Sequence, residues 1–276
     1  MNNESRTIIR IGRNTLAFAN TNAGTPGQAE YTPYPLRSGV AMAVNLREAF
    51  AAAPERITAK ALVLVETPVM FVPIEEFDVN TLPALYQYSF CGYGNDYIDH
   101  CVVPNLNAVA AFAVNKDIRL VLADRFGEVE YMPVVQPVMS YLHRRGLSAG
   151  SRLTPHAALY AYLHDGLLDV FCFNRNRIHF YNRFEGNRSA AGNTLGGFNS
   201  NDASYFLLYV WKLLGFDTNA DELYLSGDID DSLRDMLHRF VQHVYAINPS
   251  AEFNRAPITQ IQGLPFDLMT LFIKGR

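Results

Sequence analysis

The chain has 276 residues, about half of them apolar, with a formal net charge of -4 and a pI near 6.0. That is enough apolar material for a large core, which excludes a disordered chain, and the scattered Lys and Arg exclude a broad basic face for nucleic acid. The longest apolar run, "ALVLVETPVMFVPI", is short and broken by Glu66 and two prolines, so no membrane insertion is expected and the reading is a cytoplasmic protein.

In chain order, "TIIRIGRNTLAF" reads as two strands around Gly12, Arg13 and Asn14, followed by a polar loop and a third short strand near "EYTPYPL". "SGVAMAVNLREAFAAAPE" predicts a helix capped by Ser38, with Met42, Leu46, Ala49 and Phe50 on one face. The buried strand "ALVLVE" follows, then a helix-like stretch after Phe71, strands near 97 to 103 and 107 to 114, and a helix around 116 to 126. Gly, Ser and charge interrupt "MSYLHRRGLSAGSRLTPH", which places a domain boundary there: 1–148 and 149–276, joined near 144 to 155. Cys91, Cys101 and Cys172 form no C-x-x-C pair and suit a reducing compartment.

The second half repeats the opening order. "AALYAYLHDGLLDVFCFNRNRIHFYNRF" reads as three strands, with Asp165-Gly166 and Asn174-Arg175-Asn176 as turns. A Gly- and Asn-rich loop leads into the apolar helix "ASYFLLYVWKLLG", in which Phe206, Leu207, Val210, Trp211 and Leu214 are expected to be buried near the contact between the halves. "DELYLSGD" gives a strand, "DDSLRDMLHRFVQHV" a helix with Phe240 on its apolar side, and "FDLMTLFI" a last strand.

Strand-strand-strand-helix-strand-helix, read twice, is the order of the actin-like ATPase superfamily, a two-lobed α/β fold built from duplicated βββαβα units with ribonuclease H-like mixed sheets. The segments "LHDGLLDVFCFNRNRIHFYNRF", "FLLYVWKLLGF", "ELYLSGDI" and "FVPIEEFD" resemble an uncharacterised bacterial family of unknown function. That resemblance spans nearly the whole chain and implies an actin-like fold similar to the cytoplasmic domains of pilus and secretion assembly proteins. It implies no established activity.

An actin-type ATPase places an Asp-x-Gly loop at the first hairpin of each half, where carboxylates hold metal-bound water and glycine admits phosphate. Here the first loop reads Arg10-Ile11-Gly12, with a cation where the carboxylate would stand. Arg10 reads as a solvent-facing strand residue opposite Ile9 and Ile11; the sharper alternative is a metal-free phosphate ligand. In the second half Asp165 and Gly166 are adjacent, which suits a hairpin turn. At the adenosine station, Ser226-Gly227 is followed by Asp228 in place of a second glycine; Asp228 could cap the next helix but repels a triphosphate. His238 and His243, read on one helix, are five apart and share no face; "GNTLGG" reads as a polar loop.

The candidate cofactor-binding set is therefore Arg10, Gly12, Asp165, Gly166, Ser226, Gly227 and Asp228, with no catalytic or metal residue and no cofactor assigned. The functional expectation is a non-catalytic assembly module with a protein partner and a degenerate nucleotide site. The alternative is a nucleotide-binding ATPase or kinase-like switch with a non-standard phosphate site.

Overall fold

A computed structural model describes residues 6–21, 29–52, 59–149, 157–186 and 198–273. The first half opens with β1 (Thr7–Ile11), β2 (Leu16–Thr21) and β3 (Ala29–Tyr34), then α1 (Met42–Ala52), β4 (Lys60–Val65), β5 (Val69–Pro73), α2 (Leu82–Ser89), β6 (Tyr97–Val103), β7 (Ala108–Val114), α3 (Lys116–Arg125), β8 (Glu128–Pro133) and α4 (Val135–Ala149). The second half holds β9 (Ala158–His164), β10 (Leu167–Asn174), β11 (Arg177–Glu185), α5 (Ser200–Leu213), β12 (Glu222–Gly227), α6 (Asp231–Leu237), β13 (His243–Ala246), α7 (Pro249–Glu252) and α8 (Phe266–Phe272).

Two five-stranded sheets have matching orders, β3-β2-β1-β4-β8 and β11-β10-β9-β12-β13. In each, an antiparallel meander is extended by two parallel strands, β1 with β4 and β8 in one and β9 with β12 and β13 in the other. A three-stranded antiparallel sheet, β5-β7-β6, is inserted between β4 and β8.

Strand alternation decides what each face meets. On β1, Ile9 and Ile11 join a core with α1 and α3, whereas Ile8 faces a second core shared by both halves. On β9, Leu159, Ala161 and Leu163 join α5 and α6, while Tyr160 and Tyr162 face the shared core. Val135, Val138, Met139 and Leu142 of α4 and Phe266, Leu268 and Met269 of α8 fill the space between.

Several expectations give way here. "FDLMTLFI" is helix α8, not a strand; its consecutive buried side chains arise because a short helix wedged in a core is covered all round. Much of the expected boundary loop is α4: Arg144 is exposed, whereas Gly146 continues the apolar stripe of Val135, Met139 and Leu142 and faces Tyr160, whose hydroxyl would lie 3.0 Å from a Cβ there. Strand β8 was not expected, although Glu128, Val129, Glu130 and Tyr131 alternate polar and apolar along it. The expected long helix after residue 230 ends at Leu237, so Phe240 is 57% exposed and His243 lies on β13. Ser38 does not start α1, which begins at Met42. Trp211, Leu207 and Val210 are buried as expected, with Phe206 and Leu214 only partly covered; however, α5 packs within the second half and not at the shared core. Of "GNTLGG", residues 192–197 lie outside the described residues.

Candidate functional site

Both first hairpins point into the space between the sheets. The β1–β2 loop is closed by Gly12 N–H donating to the Thr15 carbonyl at 2.9 Å. The β9–β10 connection is the expected two-residue hairpin, with Asp165 at φ 48° and Gly166 at φ 73°, both left-handed as a type I′ turn requires.

Arg10 is not solvent-facing. It is 4% exposed, and its guanidinium lies between two carboxylates. Nε donates to both oxygens of Asp267 at 3.0 Å, and Nη2 reaches Asp165 Oδ2 at 2.6 Å and Asp267 Oδ2 at 2.9 Å. Nη1 donates to Thr15 Oγ1 at 3.0 Å, and Thr15 donates to Asp165 Oδ1 at 3.0 Å. The alternation that set Arg10 opposite Ile9 and Ile11 was right; what failed was the assumption that the opposite face meets water, because the second sheet and α8 cover it. Asp267 comes from α8, and Tyr162 of β9 donates to its Oδ2 at 2.6 Å. The charges of Asp267 and Asp165 outweigh burial and hold Arg10 well above its ordinary range.

Gly12 serves this cluster. A Cβ at Gly12 would lie 2.0 Å from Thr15 Oγ1, 2.6 Å from Asp165 Oδ1 and 2.7 Å from Arg10 Nη1. The glycine therefore admits the chain's own ion pair where a phosphate loop would admit a phosphate.

Beside it lies a second charged cluster. His164, at the end of β9, sets Nε2 2.8 Å from Asp169 Oδ2, and its Nδ1 faces Asp165 Oδ2 at 3.3 Å and Glu66 Oε2 at 3.4 Å. Arg183 of β11 binds Asp169 through Nε at 2.7 Å and Nη2 at 3.0 Å, and reaches Glu66 Oε1 at 2.5 Å and the Thr67 carbonyl at 2.6 Å through Nη1. Tyr181 donates to Asp169 Oδ1 at 2.9 Å. Burial works against the His164 cation, but the Glu66 charge and the hydrogen bonds to Asp165 and Asp169 win and raise it to about 9. Burial raises the Glu66 carboxyl against the pull of Arg183 and His164. Asp165 and Asp169 are held below the usual carboxylate range: burial opposes this, while His164 and Arg10 act on the first and Arg183 and His164 on the second.

The third station is bound into the sheet. Ser226 is buried and its Oγ donates to the Ala161 carbonyl at 2.9 Å. Gly227, at φ 86°, pairs with Leu163, and a Cβ there would lie 2.0 Å from the Leu163 carbonyl oxygen. Asp228 N–H donates to that same carbonyl at 2.8 Å; the cap of α6 is Asp230, whose side chain accepts from Leu233 N–H at 2.7 Å, and not Asp228. Thus Arg10, Gly12 and Asp165 come together, Gly166 shapes the turn beside them, and Ser226 and Gly227 are spent on strand pairing.

Sequence reasoning missed Thr15, Glu66, Tyr162, His164, Asp169, Arg183 and Asp267. Two signals were present: Asp169 interrupts the apolar "LLDVFCF" and stands directly across from Arg183, and "LYAYLH" sets Tyr160, Tyr162 and His164 on one face. Nothing local marked Asp267, which lies 257 residues from Arg10.

Two sheets of matching order with their first hairpins facing one another define an actin-like ATPase fold. The chain is similar to a crystal structure from Bacteroides thetaiotaomicron VPI-5482, described as a protein with actin-like ATPase fold and unknown function: 21% identity, 97% of this chain and 95% of that one covered, TM-score 0.75. It is similar also to a chain of a PilM-PilN type IV pilus biogenesis complex, at 12% identity, with 98% of each chain covered and a TM-score of 0.59. The chain belongs to the family described as "Protein of unknown function (DUF3822)", which matches residues 2–244. No curated protein matches it.

Proposed function

We propose that the protein is a non-catalytic assembly module that presents an actin-like body to a protein partner, with the superfamily's nucleotide site replaced by an internal ion pair. The observation that carries this reading is the Arg10–Asp165 contact at 2.6 Å beneath Gly12, with Asp267 closing the other side of the guanidinium. A triphosphate at that loop would have to displace Arg10 from two carboxylates and then sit beside them. Taking one partner from a buried pair costs about 3–5 kcal/mol before any phosphate contact is made. Ser226 offers no free hydroxyl, since the Ala161 carbonyl takes it.

A protein partner is supported by the similar fold of a chain found in a PilM-PilN type IV pilus biogenesis complex. Among the described residues no helix is long and apolar enough to cross a membrane. The proposed halves, 1–148 and 149–276, rest on the repeated strand order, the first ending within the last turn of α4.

The test is a thermal-shift assay with millimolar ATP, with and without magnesium, on the wild type and on Arg10→Ala, together with a phosphate-release assay. The expected result is no shift and no release in the wild type. A ligand at a hundredfold excess over its Kd stabilises by about 2.7 kcal/mol, which the assay resolves. A magnesium-dependent shift accompanied by phosphate release would establish the enzyme instead.

A further inference from the structure

We propose that Glu66, His164 and Asp165 form a binding site for a single divalent transition cation of the zinc type, which ties the end of β4 to the end of β9. The inference is independent of whether nucleotide binds. Three observations support it.

The first is spacing. Nδ1 of His164 stands 3.4 Å from Glu66 Oε2 and 3.3 Å from Asp165 Oδ2. Zinc–nitrogen and zinc–oxygen bonds of about 2.0–2.1 Å at tetrahedral angles put neighbouring donors about 3.3–3.4 Å apart. All three donor atoms lie within 4.8 Å of one another.

The second is an unpartnered oxygen. The Glu66 side chain is 95% buried, its Oε1 accepts from Arg183, and its Oε2, aimed at His164, accepts no hydrogen bond. A buried carboxylate oxygen without a donor is costly, and a cation satisfies it without one.

The third is the surrounding support and charge. Nε2 of His164 is held by Asp169 at 2.8 Å, and Asp169 is fixed in turn by Arg183 and Tyr181, which is how metal-bound imidazoles are usually oriented. Asp165 Oδ2 also takes Arg10 Nη2 at 2.6 Å, and its Oδ1 takes Thr15 Oγ1 at 3.0 Å and Arg10 Nη1 at 3.4 Å, so the carboxylate is oriented before a cation arrives. Two guanidinium groups, Arg10 and Arg183, face four carboxylates, Asp165, Asp169, Asp267 and Glu66, with Asp228 close enough to feel Asp165 and Arg10; a divalent ion that takes the place of the His164 Nδ1 proton reduces this excess of negative charge. One imidazole with two carboxylates favours zinc over magnesium, and the fourth position falls to water.

The experiment uses the full chain, free of any affinity tag and stripped with chelator, and measures bound zinc by equilibrium dialysis and elemental analysis. The expected result is one zinc per chain, no magnesium, and a rise in Tm of about 5 °C at a hundredfold excess over Kd. Glu66→Gln, which keeps the shape and the Arg183 contact, and His164→Gln abolish the binding; Asp169→Asn, which only loosens the imidazole, weakens it by about 10–100-fold. Near-UV circular dichroism checks that each variant is folded. Should a variant fail that check, the cobalt-loaded wild type decides: intense visible bands of four-coordinate cobalt support the site, and the weak bands of a six-coordinate ion overturn it. The proposal is overturned equally if the wild type takes up no zinc, or if folded Glu66→Gln and His164→Gln bind as the wild type does.

Discussion

Removing the Arg10 charge while keeping its apolar stem, as in Arg10→Met, would leave Asp165 and Asp267 facing one another in a space closed to water. An orphaned buried charge is far more damaging than the net worth of the pair, so a loss of about 3–5 kcal/mol is expected, read as a lower urea midpoint. Arg10→Met combined with Asp165→Asn and Asp267→Asn should recover part of that loss, because the uncompensated charges are gone; a double- and triple-mutant cycle measures the coupling. If Arg10→Met left the midpoint unchanged, the guanidinium would be hydrated and the ion-pair reading of the cleft would fail. At this scale the sequence showed Arg10, Gly12 and Asp165 to be in related loops. It could not show that they touch, because 155 residues separate Arg10 from Asp165.

At the scale of the element, α5 shows how a pattern can be right about burial and wrong about location. Ala203, Leu207, Val210 and Trp211 recur at helical spacing and are buried against β9, β10 and β12, while Tyr205, Tyr209 and Leu213 on the other face are exposed. The helix therefore has one covered face. Trp211→Ala should cost about 3–5 kcal/mol, as large core deletions do, and its effect should be confined to the second-half core. Hydrogen exchange would check this: the amides of β9 and β12 should lose protection, while a loss centred on β1 and β4 would return α5 to the contact between the halves. Helix α8 is the converse case. Its run of seven residues is too short for periodicity to separate helix from strand, and only its place between two sheets, with Asp267 on Arg10, fixes its identity.

Across the whole molecule, the shared core and the ion pairs join the two halves, which are expected to unfold as one unit. Ile8, Leu62 and Leu64 from the first sheet meet Tyr160, Tyr162 and Phe171 from the second across α4 and α8. A single calorimetric transition is expected, with the calorimetric enthalpy equal to the van't Hoff value; two resolved transitions would show that the shared core is weaker than the cores outside the sheets.

What the sequence by itself determined is what short-range pattern can encode: the two meanders, the Asp165-Gly166 hairpin, the strands β4 and β12, and a repeated order that resembles the actin-like superfamily. These follow from alternation, turn chemistry and composition over a few neighbouring residues. Only the tertiary structure decided that the polar face of β1 looks into a second sheet, that α8 delivers Asp267, and that Glu66, His164 and Asp165 converge. The physical reason is that a charged residue on a strand reads the same whether water or another sheet lies opposite. The partner charges that make its burial tolerable come from segments more than a hundred residues away.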